Sequence, residues 1–108
     1  MKVGFIGLGS MGAPIARRLA RCGFSVTGCD ISAQMLSEFD EPGTVREADP
    51  LAAARGADIL GVCVRTDDQL ESLCGDGQLF AALGRSGIFI LHSTVDPDLA
   101  RRLAKLAK

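Results

Sequence analysis

Short apolar runs alternate with segments of helical periodicity along the whole chain. The apolar runs predict five buried strands, at residues 3–6, 24–30, 43–46, 59–64 and 87–92. The segments between and after them predict helices at 11–22, 33–39, 50–55, 67–74 and 78–83, and from residue 97 onward. Continuously apolar strands that alternate with helices are typical of a parallel sheet covered on both faces. The pattern therefore predicts an α/β, doubly wound parallel sheet with strand order 3-2-1-4-5.

The first predicted helix carries an apolar stripe. Met11, Ile15 and Leu19 recur at i, i+4 and i+8, which predicts that they face the sheet. The residues predicted to lie on the opposite, solvated face are all arginines: Arg17, Arg18 and Arg21. The last helix has a similar apolar stripe, formed by Leu99, Leu103 and Leu106. Sheets of this type usually continue to a sixth strand, so we expect the chain to be part of a longer protein.

Between the first strand and the first helix the sequence is Gly7-Leu8-Gly9-Ser10-Met11-Gly12, which fits the pattern G-x-G-x-x-G. The first glycine permits a tight turn, the second lets a pyrophosphate approach the backbone, and the third lets the helix pack on the strand. Free N–H groups at the positive end of the helix then stabilise the diphosphate. The motif predicts a dinucleotide-binding Rossmann fold; a glycine-rich turn that binds nothing is the alternative.

Asp30 lies 18 residues after Gly12, at the end of the second predicted strand. A carboxylate there can accept hydrogen bonds from the adenosine ribose hydroxyls and repels the 2′-phosphate of NADP. The next residues, Ile31 and Ser32, supply no arginine for that phosphate. We therefore expect NAD as the cofactor, with NADP less favoured, and contacts at Asp30 and Ile31. Alternatively Asp30 caps the helix that follows, and the two roles can coexist.

The composition and charge of the chain exclude several classes of partner and location. The formal net charge is −1, from 12 basic and 13 acidic residues, which gives no reason to expect a nucleic acid partner. No apolar run approaches the 18 or so residues of a membrane span. The apolar run at the N-terminus is too short and too rich in glycine for a signal peptide. The four cysteines form no C-x-x-C pair, so we expect reduced thiols, no bound metal and a cytoplasmic location.

The chain resembles the β-hydroxyacid dehydrogenase family, which includes 3-hydroxyisobutyrate dehydrogenase and the N-terminal domain of 6-phosphogluconate dehydrogenase. The resemblance begins with residues 4–12, 14–16 and 19, and Met11 between the last two glycines is its most specific sign. Residues 56–60 resemble the family's approach to the fourth strand. Residues 87–97 resemble its fifth strand and the Ser-Thr-x-x-Pro turn that follows.

This resemblance implies further site residues. It implies cofactor contacts at Val64, Arg65 and Thr66, and at Thr94 near the nicotinamide ribose, with Ser93 as a substrate-binding candidate. The family usually has Leu-Pro where this chain has Arg65-Thr66, so that loop departs from the pattern. The catalytic lysine of the family is expected beyond residue 108, because none of the lysines here has its context: Lys2, Lys105 and Lys108.

The resemblance also implies a domain assignment and a function. Residues 1–108 are expected to be the NAD-binding Rossmann domain of a longer dehydrogenase, truncated before the sixth strand and the helical C-terminal domain. The intact parent is expected to act on the CH–OH group of a small 3-hydroxy acid. The alternatives are a stand-alone dinucleotide-binding module without catalysis, an imine-reductase-like relative, or a non-redox Rossmann domain. Whether the intact enzyme is a homo-oligomer is left open.

Overall fold

The computed structural model describes residues 1–9, 11–64, 66–74, 77–84, 87–92, 99, 101 and 103–105. The strands and helices, in chain order, are β1 (Lys2–Ile6), α1 (Gly12–Arg21), β2 (Ser25–Cys29), α2 (Ala33–Glu38), β3 (Val45–Glu47), α3 (Pro50–Ala54), β4 (Ile59–Val62), α4 (Asp67–Cys74), α5 (Gln78–Leu83) and β5 (Ile88–Leu91). The residues described at 99, 101 and 103–105 are helical. Within these described ranges, no helix combines the length and apolarity that crossing a membrane requires.

The five strands form one sheet in the order β3-β2-β1-β4-β5, and every neighbouring pair is parallel. This confirms the predicted doubly wound sheet and its strand order. Ile6 lies opposite both Cys29 and Val62, so β1, β2 and β4 end side by side. We call this the carboxyl edge of the sheet, and the edge where the same strands begin the amino edge. The direction of winding reverses between β1 and β4, which makes this the topological switch point of the sheet.

Two apolar clusters hold the helices against the sheet. The first cluster lies under α1 and α2 and is made of buried residues from β1, the turn, α1, β2 and the residue that follows α2: Val3, Phe5, Leu8, Ala13, Ala16, Val26 and Phe39. The second cluster lies on the opposite face, where β4 residues such as Leu60 and Val62 pack with residues of α3, α4 and α5. Leu99 and Leu103 are buried in the second cluster, as their spacing predicted, and Leu106 lies outside the described residues.

The predicted stripe of α1 is partly wrong. Met11 precedes the helix and is 60% exposed, while Ala13 and Ala16 supply the buried face. The three-residue and four-residue spacing identified the helix but not where its first turn begins, so Met11 was placed on the wrong side.

Arg17 is half-buried and makes contacts that the prediction of a solvated face did not include. Its guanidinium lies over the ring of Phe39, 5.9 Å from the centroid, and donates to the carbonyl oxygen of Glu38 at 3.2 Å. Arg17 therefore ties α1 to the C-terminal end of α2. Such a contact depends on the tertiary position of α2, which helical periodicity alone does not report.

The third strand begins two residues later than predicted, at Val45 instead of residue 43. Gly43 has a φ of +82° and lies in a turn. Within that turn the hydroxyl of Thr44 donates to the carbonyl oxygen of Glu41 at 2.6 Å. Gly43 and Thr44, which were predicted to lie in the strand, therefore belong to the turn before it.

β5 is the last strand on its side of the sheet within the described residues. Its side chains alternate: Ile88 and Ile90 are exposed, while Phe89 and Leu91 pack against the second cluster. The Phe89 ring meets Phe80 edge-on, with the centroids 5.0 Å apart. One face of β5 is therefore covered by helices and the other is an open apolar surface.

Candidate functional site

The glycine-rich turn continues directly from β1 at the carboxyl edge. The N–H of Gly7 donates to the carbonyl oxygen of Cys29 at 2.8 Å, so the turn stays attached to β2. Gly7 has a φ of +99°, and a Cβ at this position would overlap the carbonyl oxygen of Cys63 after β4. Both the backbone conformation and the contact with β4 therefore require glycine, which confirms the predicted tight turn.

Gly12 brings the start of α1 against the same turn. A Cβ on Gly12 would overlap the carbonyl oxygen of Gly7 and come within 3.1 Å of the Phe5 ring. Met11 makes no side-chain cap hydrogen bond, and the first turn of α1 contains no acidic residue. The helix begins with the N–H of Ala13 donating to the carbonyl oxygen of Gly9 at 3.0 Å. The start of α1 thus carries partial positive charge, and no described side chain of Met11 or of the first turn competes for an anion.

Asp30 joins this turn to the start of α2. Its Oδ2 accepts a hydrogen bond from the N–H of Leu8, and its Oδ1 accepts one from the N–H of Ser32, each at 2.8 Å. Ser32 itself caps α2, because its hydroxyl accepts from the N–H of Met35 at 3.3 Å. The N-cap of α2 is therefore Ser32 and not Asp30, which instead accepts from the N–H of the cap residue. The contact with Leu8 was not predicted, although the alignment of β1 beside β2 would have indicated it.

The predicted site residues in the turn differ in exposure. Leu8 is 3% exposed and its side chain belongs to the first cluster, so only its backbone faces the site. Met11 is 60% exposed and Ile31 is 84% exposed. Single exposed apolar side chains are ordinary on a protein surface, so these exposures leave both residues accessible to a ligand without indicating one.

The loop after β4 is described in part. Val64 is half-buried and packs against the second cluster. Thr66 caps α4, because its hydroxyl accepts from the N–H of Gln69 at 3.1 Å. The remaining predicted site residues, which come from the turn, this loop and the segment after β5, lie outside the described residues: Ser10, Arg65, Ser93 and Thr94.

Two further groups lie at the carboxyl edge. The imidazole of His92 packs on Phe5, with the ring centroids 5.5 Å apart, over the space that Gly61 leaves by lacking a Cβ. Burial, and then the nearby carboxylates of Asp30, Glu47 and Asp49, raise the pKa of the Cys29 thiol to about 12. Cys29 is therefore a protonated core thiol at neutral pH and not a nucleophile.

A groove of about 390 Å³ opens between α1 and α2 beside the turn. Its lining includes Gly9, Ala13, Pro14, Arg17, Met35 and Phe39. Arg17 is directed to the C-terminal end of α2 by its bond to Glu38, whereas Asp30 lies before the N-terminal end of that helix. Among the described contacts, the arginine that lines the groove makes no bond to Asp30.

Comparison with known proteins shows which family this chain is similar to. The family described as the NAD binding domain of 6-phosphogluconate dehydrogenase matches residues 2–108. The mitochondrial 3-hydroxyisobutyrate dehydrogenase of Rattus norvegicus is 32% identical over 104 residues, which are 95% of this chain and 31% of that protein. The chain therefore spans about a third of the length of this relative.

Solved structures agree with the sequence matches. The 3-hydroxyisobutyrate dehydrogenase of Mycobacterium tuberculosis, solved with L-serine, has a TM-score of 0.89 and 28% identity, covering 98% of this chain and 36% of that one. A structure named Psf3, in complex with NADP+ and 2-OPP, has a TM-score of 0.83 and 32% identity over 97% of this chain and 39% of that one.

Proposed function

Because this chain belongs to the family of the NAD-binding domain of 6-phosphogluconate dehydrogenase, we propose that its glycine-rich turn binds the pyrophosphate of NAD and that Asp30 binds the adenosine ribose. The proposal rests above all on the Asp30 carboxylate, which is fixed beside the turn by the 2.8 Å hydrogen bond from Leu8. Each carboxylate oxygen has a second lone-pair direction, so Asp30 can still accept from ribose hydroxyls.

The described residues fit a dinucleotide. Gly7 and Gly12 let the turn pack tightly on β4 and on α1, because a Cβ at either position would overlap backbone atoms. The close approach of the phosphates to the main chain is assigned to Gly9, the second glycine of the motif. The uncapped start of α1 offers N–H groups and partial positive charge to the diphosphate. Ile31 and Met11 offer exposed apolar surface on either side of this path. The other proposed contacts are Leu8 through its backbone, Gly9, Ser10, Val64, Arg65, Thr66 and Thr94, with Ser93 toward the substrate.

NAD is favoured over NADP for electrostatic reasons. The 2′-phosphate of NADP would lie against the Asp30 carboxylate, and two like charges in contact repel. Ile31 supplies no cation, and Arg17 is bonded to Glu38 at the far end of α2. Binding of NADP+ is a property of the solved relative named above; the residues around Asp30 favour the unphosphorylated ribose.

For the whole protein we infer an oxidoreductase that acts on the CH–OH group of a small 3-hydroxy acid, like the 3-hydroxyisobutyrate dehydrogenases that the chain matches. The nicotinamide supplies the hydride chemistry when it is bound, and this domain binds and orients it. The family resemblance implies a catalytic lysine beyond residue 108, because Lys2, Lys105 and Lys108 lack its sequence context. The 108-residue chain should therefore bind the cofactor without turnover.

Titration of the purified chain with NADH and with NADPH, followed by calorimetry or nicotinamide fluorescence, tests this proposal. We expect NADH to bind at least tenfold more tightly than NADPH, which corresponds to about 1.4 kcal/mol. Equal or tighter binding of NADPH would overturn the argument from Asp30. Absence of binding by either dinucleotide would overturn the proposed function, and turnover of 3-hydroxy acids by this chain alone would contradict the assignment of catalysis to residues outside it.

A further inference from the structure

Both oxygens of the Asp30 carboxylate are bonded to backbone N–H groups. Oδ2 accepts from Leu8 in the glycine-rich turn, and Oδ1 accepts from Ser32 at the start of α2. A residue that served only as a ribose ligand would not need either bond. The Asp30 side chain is half-buried between the two segments, which lie 22 and 2 residues away along the chain.

The bond to Leu8 continues the ladder between β1 and β2. The last backbone bond of that ladder runs from the N–H of Gly7 to the carbonyl oxygen of Cys29. One residue further on, the N–H of Leu8 donates to the side chain of Asp30. Leu8 lies outside both β1 and α1, so neither the ladder nor the helix provides it with a backbone acceptor. Asp30 supplies that acceptor and fixes the first peptide of the turn.

We propose that Asp30 is a positioning residue for the pyrophosphate, acting through the Leu8 N–H, in addition to its proposed role as a ribose ligand. The carboxylate holds the turn in its phosphate-accepting shape before the cofactor arrives, so ordering of the turn does not oppose binding. The part of this inference that concerns cofactor affinity rests on the proposed function. It deepens that function, because Asp30 then contributes to the affinity for a dinucleotide that has no ribose hydroxyls.

A double-mutant cycle between Asp30 and the ribose separates the two roles. The chain and its Asp30→Asn variant are titrated with NADH and with an analogue that lacks both hydroxyls of the adenosine ribose. Asparagine has one uncharged acceptor oxygen in place of two charged ones, so the bond from Leu8 is either lost or made weaker, whichever way the amide turns. We expect Asp30→Asn to weaken binding of the analogue about tenfold, and binding of NADH by more.

Electrostatics cannot produce the same result. Asp30→Asn removes a negative charge near the binding site of an anion, which by itself would strengthen binding of the pyrophosphate. Weaker binding of the analogue therefore reports the position of the turn and not the lost charge. Equal affinity of both proteins for the analogue would overturn the proposal and leave Asp30 as a ribose ligand only.

Asp58→Asn is the matched control. Oδ2 of Asp58 accepts from the N–H of Lys2 at 2.8 Å, at the other end of the same strand. This variant removes the same charge but keeps an oxygen for the bond from Lys2, so we expect it to lose less stability than Asp30→Asn while its affinity for NADH and for the analogue stays unchanged. A weakening of analogue binding in Asp58→Asn equal to that in Asp30→Asn would show a general effect of stability and would overturn the positioning role.

Amide hydrogen exchange tests the position of the turn without any ligand. In the free chain, the N–H of Leu8 should exchange at least tenfold faster in Asp30→Asn than in the unsubstituted protein, while amides in the middle of β1 and β2 keep their rates. An unchanged rate at Leu8 would overturn the proposal. If the unsubstituted chain binds no dinucleotide, the proposed function fails, and the exchange rate at Leu8 still decides whether Asp30 holds the turn.

Discussion

At each end of β1 a backbone N–H donates to an aspartate carboxylate, but the surroundings of the two bonds differ. At the amino edge, Asp58 accepts from the N–H of Lys2 at 2.8 Å, and its own N–H donates to the carbonyl oxygen of Lys2 at the same distance. At the carboxyl edge, Asp30 accepts from the N–H of Leu8, also at 2.8 Å. Among the described residues, the carboxyl edge adds the start of α1, where Met11 makes no side-chain cap, and a turn whose closest contacts are made by glycines.

This difference shows what separates a structural edge from a binding edge. The amino-edge pair joins β1 to the segment before β4, so it stabilises the sheet. At the carboxyl edge, Asp30 fixes the turn and keeps acceptor capacity, while the N–H groups at the start of α1 meet no side-chain cap. A site therefore arises where the fold leaves polar groups ordered but incompletely satisfied.

The largest expected difference between the edges comes from two glycines. Gly12→Ala places a Cβ onto the Gly7 carbonyl oxygen and against Phe5, so α1 must move away from the turn. We expect the free energy of unfolding to fall by about 3 kcal/mol and cofactor binding to be lost. Gly23→Ala, in the turn at the amino edge, meets no atom within 4 Å and costs only the strain of its φ of +99°, about 1 kcal/mol. Urea unfolding measures both.

Equal destabilisation by the two alanines would contradict this comparison, because it would mean that the close contact of α1 with the turn is not formed. A milder Gly12→Ala that keeps full affinity for NADH would show that the turn tolerates displacement.

The next largest expected difference concerns two thiols, Cys29 at the carboxyl edge and Cys22 near the amino edge. Burial and nearby carboxylates raise the pKa of Cys29 from 9.0 to about 12, so between these pH values the folded chain holds a proton that the unfolded chain has lost. Stability contributed by this group is therefore complete below about pH 9 and decreases as the pH rises toward 12. Relative to Cys29→Ala, the unfolding free energy should fall by about 1.4 kcal/mol more between pH 8 and pH 10.

Alkylation at pH 8 provides the matching measurement, because Cys29 is fully buried whereas Cys22, near the amino edge, is exposed. Iodoacetamide should modify Cys22 in the folded chain and modify Cys29 only on unfolding, as read by peptide mass analysis. Modification of both thiols at similar rates in the native chain would show that the carboxyl edge is open around Cys29.

The smallest expected effect lies in an ion pair at the amino edge. Nε of Arg21 lies 2.6 Å from Oε1 of Glu41, but the arginine side chain is 70% exposed. Arg21→Gln should lower the free energy of unfolding by about 0.5 kcal/mol at low salt and by less in 1 M NaCl, because exposed pairs are screened. The affinity for NADH should not change. A loss above 1 kcal/mol, or any change in affinity, would show that this pair holds α1 in position over the turn.

Much of this architecture was predictable from the sequence. The strand order, the bounds of α4 and α5, and the placement of the glycine motif at the end of β1 followed from apolar runs and their spacing. These features depend on local pattern and on a small set of permitted connections between parallel strands. The family assignment was predictable too, since its motif extends over several strands of the chain.

The errors have different physical causes, and most involve contacts or boundaries that periodicity does not report. Met11 was assigned to the buried stripe of α1, although the helix begins after it. Arg17 was assigned to solvent, although Phe39 at the end of α2 attracts its guanidinium. The bond from Leu8 to Asp30 needed the alignment of Ile6 with Cys29, which composition and spacing do not report. The sites proposed at Thr94 and Ser93 remain predictions.

The use of one carboxylate for two tasks restricts how cofactor preference can change, in evolution or in the laboratory. Replacing Asp30 first would remove the repulsion of a 2′-phosphate and also release the turn that must hold the diphosphate. A first step at Ile31, which is 84% exposed and contributes little to the core, can add a cation while the turn stays intact. The route from NAD to NADP therefore has an order: the neighbour changes first, and the aspartate changes last or not at all.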